Sequence, residues 1–186
     1  METRTVPGLL SAIAAAAVAS AVSLSQTSCA HPAAAAPPAA RLPSDARLRD
    51  PGGASFAPAR RYRGRVVLLD FWASWCEECK RSVPRVDRVA SAFAADGLVV
   101  VGVNAGDGEG VARSAAAALG IRYPIALDPE LEFADRLGAT GLPLLLVLDR
   151  DGRVLHRARA VDAETLAAIR RALAGPPGAA RPAASR

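Results

Sequence analysis

The sequence predicts an α/β domain with a mixed central sheet flanked by helices, and three observations carry that prediction. Apolar runs that read as buried strands alternate with helix-period segments. The chain closes on a hairpin followed by a last helix. Two cysteines separated by two residues, Cys76 and Cys79, stand where the first long strand hands over to the first long helix. A chain of 186 residues favours a single domain and buries a core without disulfide staples. Aromatic residues make up only 4%, so the few present are expected where packing or chemistry needs them.

The first residues address the chain rather than fold it. Residues 6–30 carry no charged side chain, Arg4 precedes them, and Ala, Val, Leu and Ile dominate, which reads as a signal sequence or membrane anchor over residues 1–30. Ser28-Cys29-Ala30 fits a small-x-small cleavage site before His31. Cys29 is alternatively a lipidated first residue, although Gln26 suits a lipobox poorly, and an uncleaved anchor is the third reading. All three place the folded part in the periplasm or cell envelope and differ only in whether it stays tethered. Residues 31–46 are rich in Ala and Pro and read as a linker, leaving 47–174 as the domain and 175–186, with Pro176, Pro177 and Pro182, as a disordered tail.

Within the domain, residues 48–56 predict a short hairpin turning at Pro51-Gly52-Gly53. Residues 65–72 form a continuous apolar run, as a central strand covered on both faces requires. A helix follows over 76–95, with Cys79, Val83, Val86, Ala90 and Phe93 on one face and Gly97 closing it. Residues 98–103 predict a second buried strand, 111–119 a helix ended by Gly120, and 125–127 a short strand. Asp128 is then expected to cap a helix with Pro129 in its first turn, running to Leu137 and stopping at Gly138. Residues 144–148 predict a third strand, 149–152 a hairpin turn into 153–158, and Asp162 the cap of a last helix with Leu166, Ile169 and Leu173 on its apolar face. No internal repeat is visible.

The chemistry gathers at Cys76 and Cys79. A thiol at a helix start meets free N–H groups and the positive end of the helix dipole, which favour a thiolate. Residues three apart share a helix face, so Cys79 reaches Cys76 to close a disulfide. Thiol–disulfide exchange needs such a pair, one thiol to attack and one to resolve the mixed disulfide. Zinc would need four ligands, and only His31 and His156 are available to add to this pair, so no metal is expected. A purely structural disulfide is a further reading, although so short a loop constrains the unfolded chain little. The net charge of +5 comes from scattered arginines and not from a basic helix or stripe, which argues against nucleic acid as a partner.

Around these residues the chain resembles thioredoxin. The segment Val67-Leu68-Leu69-Asp70-Phe71-Trp72-Ala73-Ser74-Trp75-Cys76-Glu77-Glu78-Cys79-Lys80 follows that family's active-site stretch. Pro84 matches its helix-kinking proline, and Thr140-Gly141-Leu142-Pro143 ahead of Leu144, Leu145 and Leu146 matches its cis-proline loop. The extra helix and strand over 111–127, the N-terminal hairpin and the leading apolar segment make the chain similar to the extracytoplasmic TlpA/ResA-like branch.

The resemblance implies a thioredoxin-like fold and a thiol–disulfide oxidoreductase with no cofactor beyond its own redox-active disulfide. It implies that Cys76 attacks and Cys79 resolves. It makes Asp70 the general base for Cys79, raised in pKa by burial, where a salt bridge is the plain alternative. Trp75 would shield Cys76, Trp72 would pack in the core, and the Leu142 backbone beside a cis Pro143 would pair with an extended substrate peptide. Glu77 and Glu78 depart from the family's usual proline or glycine. Either they suit the helix start or they oppose ionisation of Cys76 and favour a reducing potential and basic partners. Leu144 departs from the polar residue usual after the cis-proline.

The implied partners are protein thiols and disulfides and a membrane thiol-relay donor, with the protein a monomer and cytochrome c maturation one setting of the branch. The rivals are a copper-binding chaperone of the same fold, for which only His156 could serve as a distal ligand, and a redox-inactive interaction domain. A peroxidase is disfavoured because Ala73 stands where the related fold's peroxidases carry threonine.

Overall fold

Alternation along one strand decides how the molecule is layered. All seven residues of β3 (Val66–Trp72) are buried, so the strand is covered on both faces. Val66 and Leu68 pack with Val86, Val89, Ala168 and Ile169, whereas Val67, Leu69 and Phe71 pack with Phe133, Ala134 and Leu137. Phe71 and Phe133 stack with ring centroids 6.0 Å apart.

The computed structural model describes residues 41–175. The readings made for residues 1–30, including Cys29, for residues 31–40 and for the tail from Pro176 onward lie outside the described residues. Around β3 the elements run β1 (Leu48–Arg49), β2 (Ser55–Phe56), α1 (Pro58–Arg61), α2 (Glu77–Phe93), β4 (Leu98–Ala105), α3 (Glu109–Leu119), β5 (Ile125–Asp128), α4 (Glu132–Arg136), β6 (Leu144–Leu148), β7 (Val154–Ala158) and α5 (Ala163–Ala174). The strands form one mixed sheet in the order β2-β1-β5-β4-β3-β6-β7. β3 pairs parallel with β4 and antiparallel with β6, and β4 pairs parallel with β5. In this register Asp70 stands opposite Gly102 on one side and Leu145 on the other. Among the described residues no helix is long and apolar enough to cross a membrane.

Three expectations change. Residues 41–46 pack on the domain that the sequence starts at Arg47: Leu42 donates its N–H to the Gly152 carbonyl at 2.8 Å, Arg41 bridges Arg153, and Leu42 and Ala46 are buried in the core that holds Phe133. The linker assigned to 31–46 therefore gives up residues 41–46, of which Arg41 and Leu42 lie along the β6–β7 hairpin and Asp45 pairs with Arg136 on α4. Asp128 ends β5, and Pro129 sits in a turn outside the helix, which starts only at Glu132. Asp128 still caps from a distance, its carboxylate accepting from the N–H groups of Phe133 at 3.1 Å and Ala134 at 2.8 Å. The buried face of α5 is Thr165, Ala168, Ile169 and Ala172, with Leu166 and Leu173 flanking it, because small residues let the helix lie close on the sheet. The four-residue helix α1 had no signal beyond Pro58 at its first turn.

The placement of Leu42 yields a measurement. Leu42→Ala should lower the unfolding free energy by about 2 kcal/mol or more in urea titrations, the usual result for a buried leucine. A flexible linker residue would leave the midpoint unchanged.

Candidate active site

β3 ends at Trp72, and Ala73, Ser74 and Trp75 carry the chain to the N-terminus of α2. Cys76 is the N-cap residue, in extended conformation, and its Sγ accepts from the Cys79 N–H at 3.2 Å. The sulfur thus occupies the place where a capping oxygen usually sits, facing the free donors of the first turn. Cys76 and Cys79 are joined in a disulfide, with Cα atoms 5.2 Å apart. Cys79 has no solvent exposure and Cys76 retains 5%, while neighbouring Trp75 is 66% exposed. An incoming sulfur can reach this pair only through Cys76. Glu77 and Glu78 lie in the first turn of α2, and Lys80 and Arg81 pair with them one turn on. The two carboxylates therefore face cations of their own helix, which offsets their action on Cys76.

Asp70 lies on the face of β3 that α2 covers. It falls between Leu68, which packs with Val86 and Val89, and Trp72, which packs with Cys76 and Cys79. It is fully buried and forms no ion pair among the described residues; its partner is Tyr123, whose hydroxyl donates to Asp70 Oδ2 at 2.6 Å. Burial pushes the Asp70 carboxyl up to about 6, against which the Tyr123 hydrogen bond acts. Asp70 Oδ1 has no hydrogen-bond partner among the described residues. Burial, together with the negative charge of Asp70, raises the Tyr123 phenol far above its ordinary value, so it stays a donor.

Two further loops close around the cysteines. Asp107, in the turn after β4, accepts from the Ser74 N–H at 2.7 Å, the Ser74 hydroxyl at 2.8 Å and the Asn104 side-chain amide at 2.7 Å. This ties the loop before Cys76 to the end of the neighbouring strand. The Leu142–Pro143 bond is cis, and Leu142 packs with the cluster of Trp72, Cys76 and Cys79. The carbonyl of Leu142 already accepts from the Arg159 guanidinium at 2.7 Å. A substrate strand pairing there would share that carbonyl, which has a second lone pair to offer.

The structure brings Cys76, Cys79, Trp75, Leu142 and Pro143 into one region and sets Asp70 beneath it. Trp72 packs in the core as expected, and its Nε1 has no partner among the described residues. Leu144 is buried as the first residue of β6. His156 lies half-buried on β7, its Nε2 3.3 Å from the Thr165 hydroxyl. Among the described residues no group of three or more His, Cys, Asp or Glu side chains is placed to hold a metal. Sequence reasoning missed Tyr123, Asn104, Asp107 and Arg159. A signal existed for Asn104 and Asp107, polar residues at the carboxyl end of an apolar strand, where α/β proteins place their sites.

Two results are expected here. Asp107→Ala strands the Ser74 and Asn104 donors, and urea titration should show a loss of about 2–3 kcal/mol. The second concerns pH. Because the folded carboxyl of Asp70 titrates at about 6 against an ordinary 3.8, the folded state holds its proton longer than the unfolded one. That contribution is intact at low pH and is lost as pH rises through this window, reaching up to about 3 kcal/mol above it. The oxidised chain should show this fall in unfolding free energy between about pH 4 and 6, and Asp70→Asn should remove it.

The comparisons agree with this fold. The Redoxin family profile matches residues 34–173. Among curated proteins, the chain is similar to the thiol-disulfide oxidoreductase ResA of Geobacillus thermodenitrificans, 29% identical over 93 residues, covering 50% of this chain and 53% of that protein. ResA of Bacillus subtilis is 28% identical over 93 residues, 50% of this chain and 52% of its own. The chain thus spans about half the length of these curated relatives. A solved structure of a candidate thiol:disulfide interchange protein DsbE from Chlorobium tepidum is 31% identical, with a TM-score of 0.63 over 73% of this chain and 96% of that one. The thioredoxin domain of a thiol-disulfide oxidoreductase from Bacteroides vulgatus, 18% identical, shares the fold with a TM-score of 0.64 over 74% of this chain and 99% of its own. On a thioredoxin-like fold whose strand, helix and cis-proline loop meet at Cys76 and Cys79, the chain belongs to the Redoxin family.

Proposed function

We propose that this protein is an extracytoplasmic thiol–disulfide oxidoreductase that reduces disulfides in other proteins. The observation that carries this reading is the Cys76–Cys79 disulfide at the N-cap of α2, with only Cys76 open to solvent, beside the cis Leu142–Pro143 bond. In the reduced protein the Cys76 thiolate attacks one sulfur of a substrate disulfide and expels the other as a thiolate. Asp70 takes the proton of Cys79. The Cys79 thiolate then attacks Cys76 Sγ, closes the Cys76–Cys79 bond and releases the second substrate sulfur. The substrate gains two electrons, and the released thiolates take up two protons. A donor dithiol restores Cys76 and Cys79 by the reverse exchange, so no cofactor beyond this pair takes part.

Likeness to proteins named thiol-disulfide oxidoreductase ResA and thiol:disulfide interchange protein DsbE supports thiol–disulfide exchange, and the apolar residues 6–30 support an exported or tethered chain. The substrates would be protein disulfides, with apocytochrome thiols during haem attachment one class, and a membrane thiol relay would be the donor.

Equilibrating the full chain in dithiothreitol or glutathione buffers should give a reduction potential of about −270 mV or lower for Cys76–Cys79, whereas about −120 to −180 mV would reverse the direction of flow. Cys79→Ser should accumulate a mixed disulfide on Cys76 that Cys76→Ser cannot form. A thiol reagent that does not cross the cytoplasmic membrane should label reduced Cys76 in intact cells, and protection there would refute the location.

A further inference from the structure

We propose that Tyr123 is a positioning residue for proton transfer at Cys79: its hydroxyl holds Asp70 Oδ2, which leaves Oδ1 as the atom that takes and returns the Cys79 proton. This deepens the proposed function and rests on its reading of Asp70 as the base.

The geometry carries it. The carboxyl group has two oxygens and no solvent. Tyr123 satisfies Oδ2 at 2.6 Å, and Oδ1 has no partner among the described residues. A buried carboxylate with an idle oxygen is costly unless something uses that oxygen. Opposite Asp70, β4 carries a glycine, and this makes room for the contact. A Cβ at Gly102 would lie 3.1 Å from the Tyr123 ring and 2.9 Å from Trp72 Nε1. Any side chain there would push one ring aside, so the glycine at mid-strand serves the tyrosine. Tyr123 is itself 6% exposed and anchored by neighbours, since Arg122 binds Asp87 on α2.

Among the described residues, the charged or titratable groups on this side of the sheet are few. From α2 come Cys79 and Asp87, the latter held below the usual carboxylate range by Arg122. The residues of β4 and β6 opposite Asp70, Gly102 and Leu145, carry no titratable group. α3 and α5 contribute Ala116, Ala168 and Ile169 to the flanking clusters. The hydroxyl of Tyr123 is therefore the group that stabilises the charged form of Asp70. Without it the carboxyl would hold its proton to higher pH and be protonated when Cys79 needs a base. In the forward step Cys79 S–H gives its proton to Oδ1, and the thiolate displaces the substrate sulfur from Cys76. In the reverse step Oδ1 returns the proton to Cys79.

The test follows Asp70 by carbon-detected NMR of its carboxyl in the oxidised full chain. It also follows, by rapid mixing across pH, the release of substrate thiol from the Cys76 mixed disulfide. Tyr123→Phe should raise the Asp70 titration by about one pH unit and slow release about fivefold near pH 6, with the two rates converging well above that pH. Replacing tyrosine by 3-fluorotyrosine keeps the packing and strengthens the donor; with only Tyr62 and Tyr123 in the chain, it should move both profiles the other way. In an Asp70→Asn background neither change should matter. If Asp70→Asn flattens the release profile but the tyrosine variants leave it and the Asp70 titration in place, the proposal fails while Asp70 stands as the base. A uniform slowing at every pH with an unmoved Asp70 titration also overturns it. If Asp70→Asn leaves release untouched, the reading of Asp70 as base falls and takes the proposal with it.

Discussion

A carboxyl group with no access to water, placed mid-strand at the centre of the sheet, is the constraint on which the site depends. Asp70 sits on β3 with β4 on one side, β6 on the other and α2 above. Ionising it there is opposed by the loss of solvent, which is why the group titrates at about 6. Three residues from three places in the sequence accommodate it. Tyr123 supplies a hydrogen bond, Gly102 clears space for that ring at the expense of a residue that weakens a strand, and Trp72 packs between Asp70 and the cysteines. A carboxyl near neutrality both accepts and donates a proton under ordinary conditions, which suits an acid–base group that must work in both directions of an exchange.

Above that floor, two pairs of loop segments are pinned. Asp107 binds Ser74 through backbone and side chain together, so the turn before Cys76 is fixed to the end of β4. The Arg159 guanidinium holds the Leu142 carbonyl, and Gly141 leaves it room, a Cβ there lying 3.2 Å from Arg159 Nη1. These contacts join segments far apart in the chain at the one edge of the sheet where β3 and β4 end. A redox pair needs that rigidity because an exchange reaction is sensitive to which sulfur an attacker reaches and from what direction.

The sequence announced the strands well wherever the apolar run was long. β3, β4 and β6 stand where continuous Val and Leu segments place them, and Gly120 ends α3 in a left-handed conformation as its position suggests. It announced the cysteines and the cis proline because local motifs carry them. What it could not announce depends on register. Tyr123 precedes β5, and nothing in the local string 121–124 points to Asp70, 53 residues earlier. The contact exists because β5 joins the sheet beside β4 and Gly102 leaves a gap. The α4 expectation failed for a similar reason: Asp128 caps, but a turn through Leu131 at φ 62° separates cap from helix, and no composition rule distinguishes the two spacings. Leu42 was hidden inside an alanine- and proline-rich context, where one leucine finding a place against Gly152 depends on a hairpin more than a hundred residues away.

The two cysteines differ in a way that explains why such a costly carboxylate is kept. Cys76 caps the helix, so its sulfur faces the free N–H groups of the first turn, and the helix itself stabilises its thiolate. That effect belongs to the terminus. Cys79 lies inside the helix, where its own N–H is already given to Cys76 and its sulfur is closed off from water. Neither the helix end nor solvent can take its proton. A resolving thiol in that position needs a base delivered from underneath, through the sheet, and the strand that leads into the motif is the element that can deliver one. Attack from outside and resolution from inside thus draw on different physics, the dipole for one sulfur and a buried acid for the other.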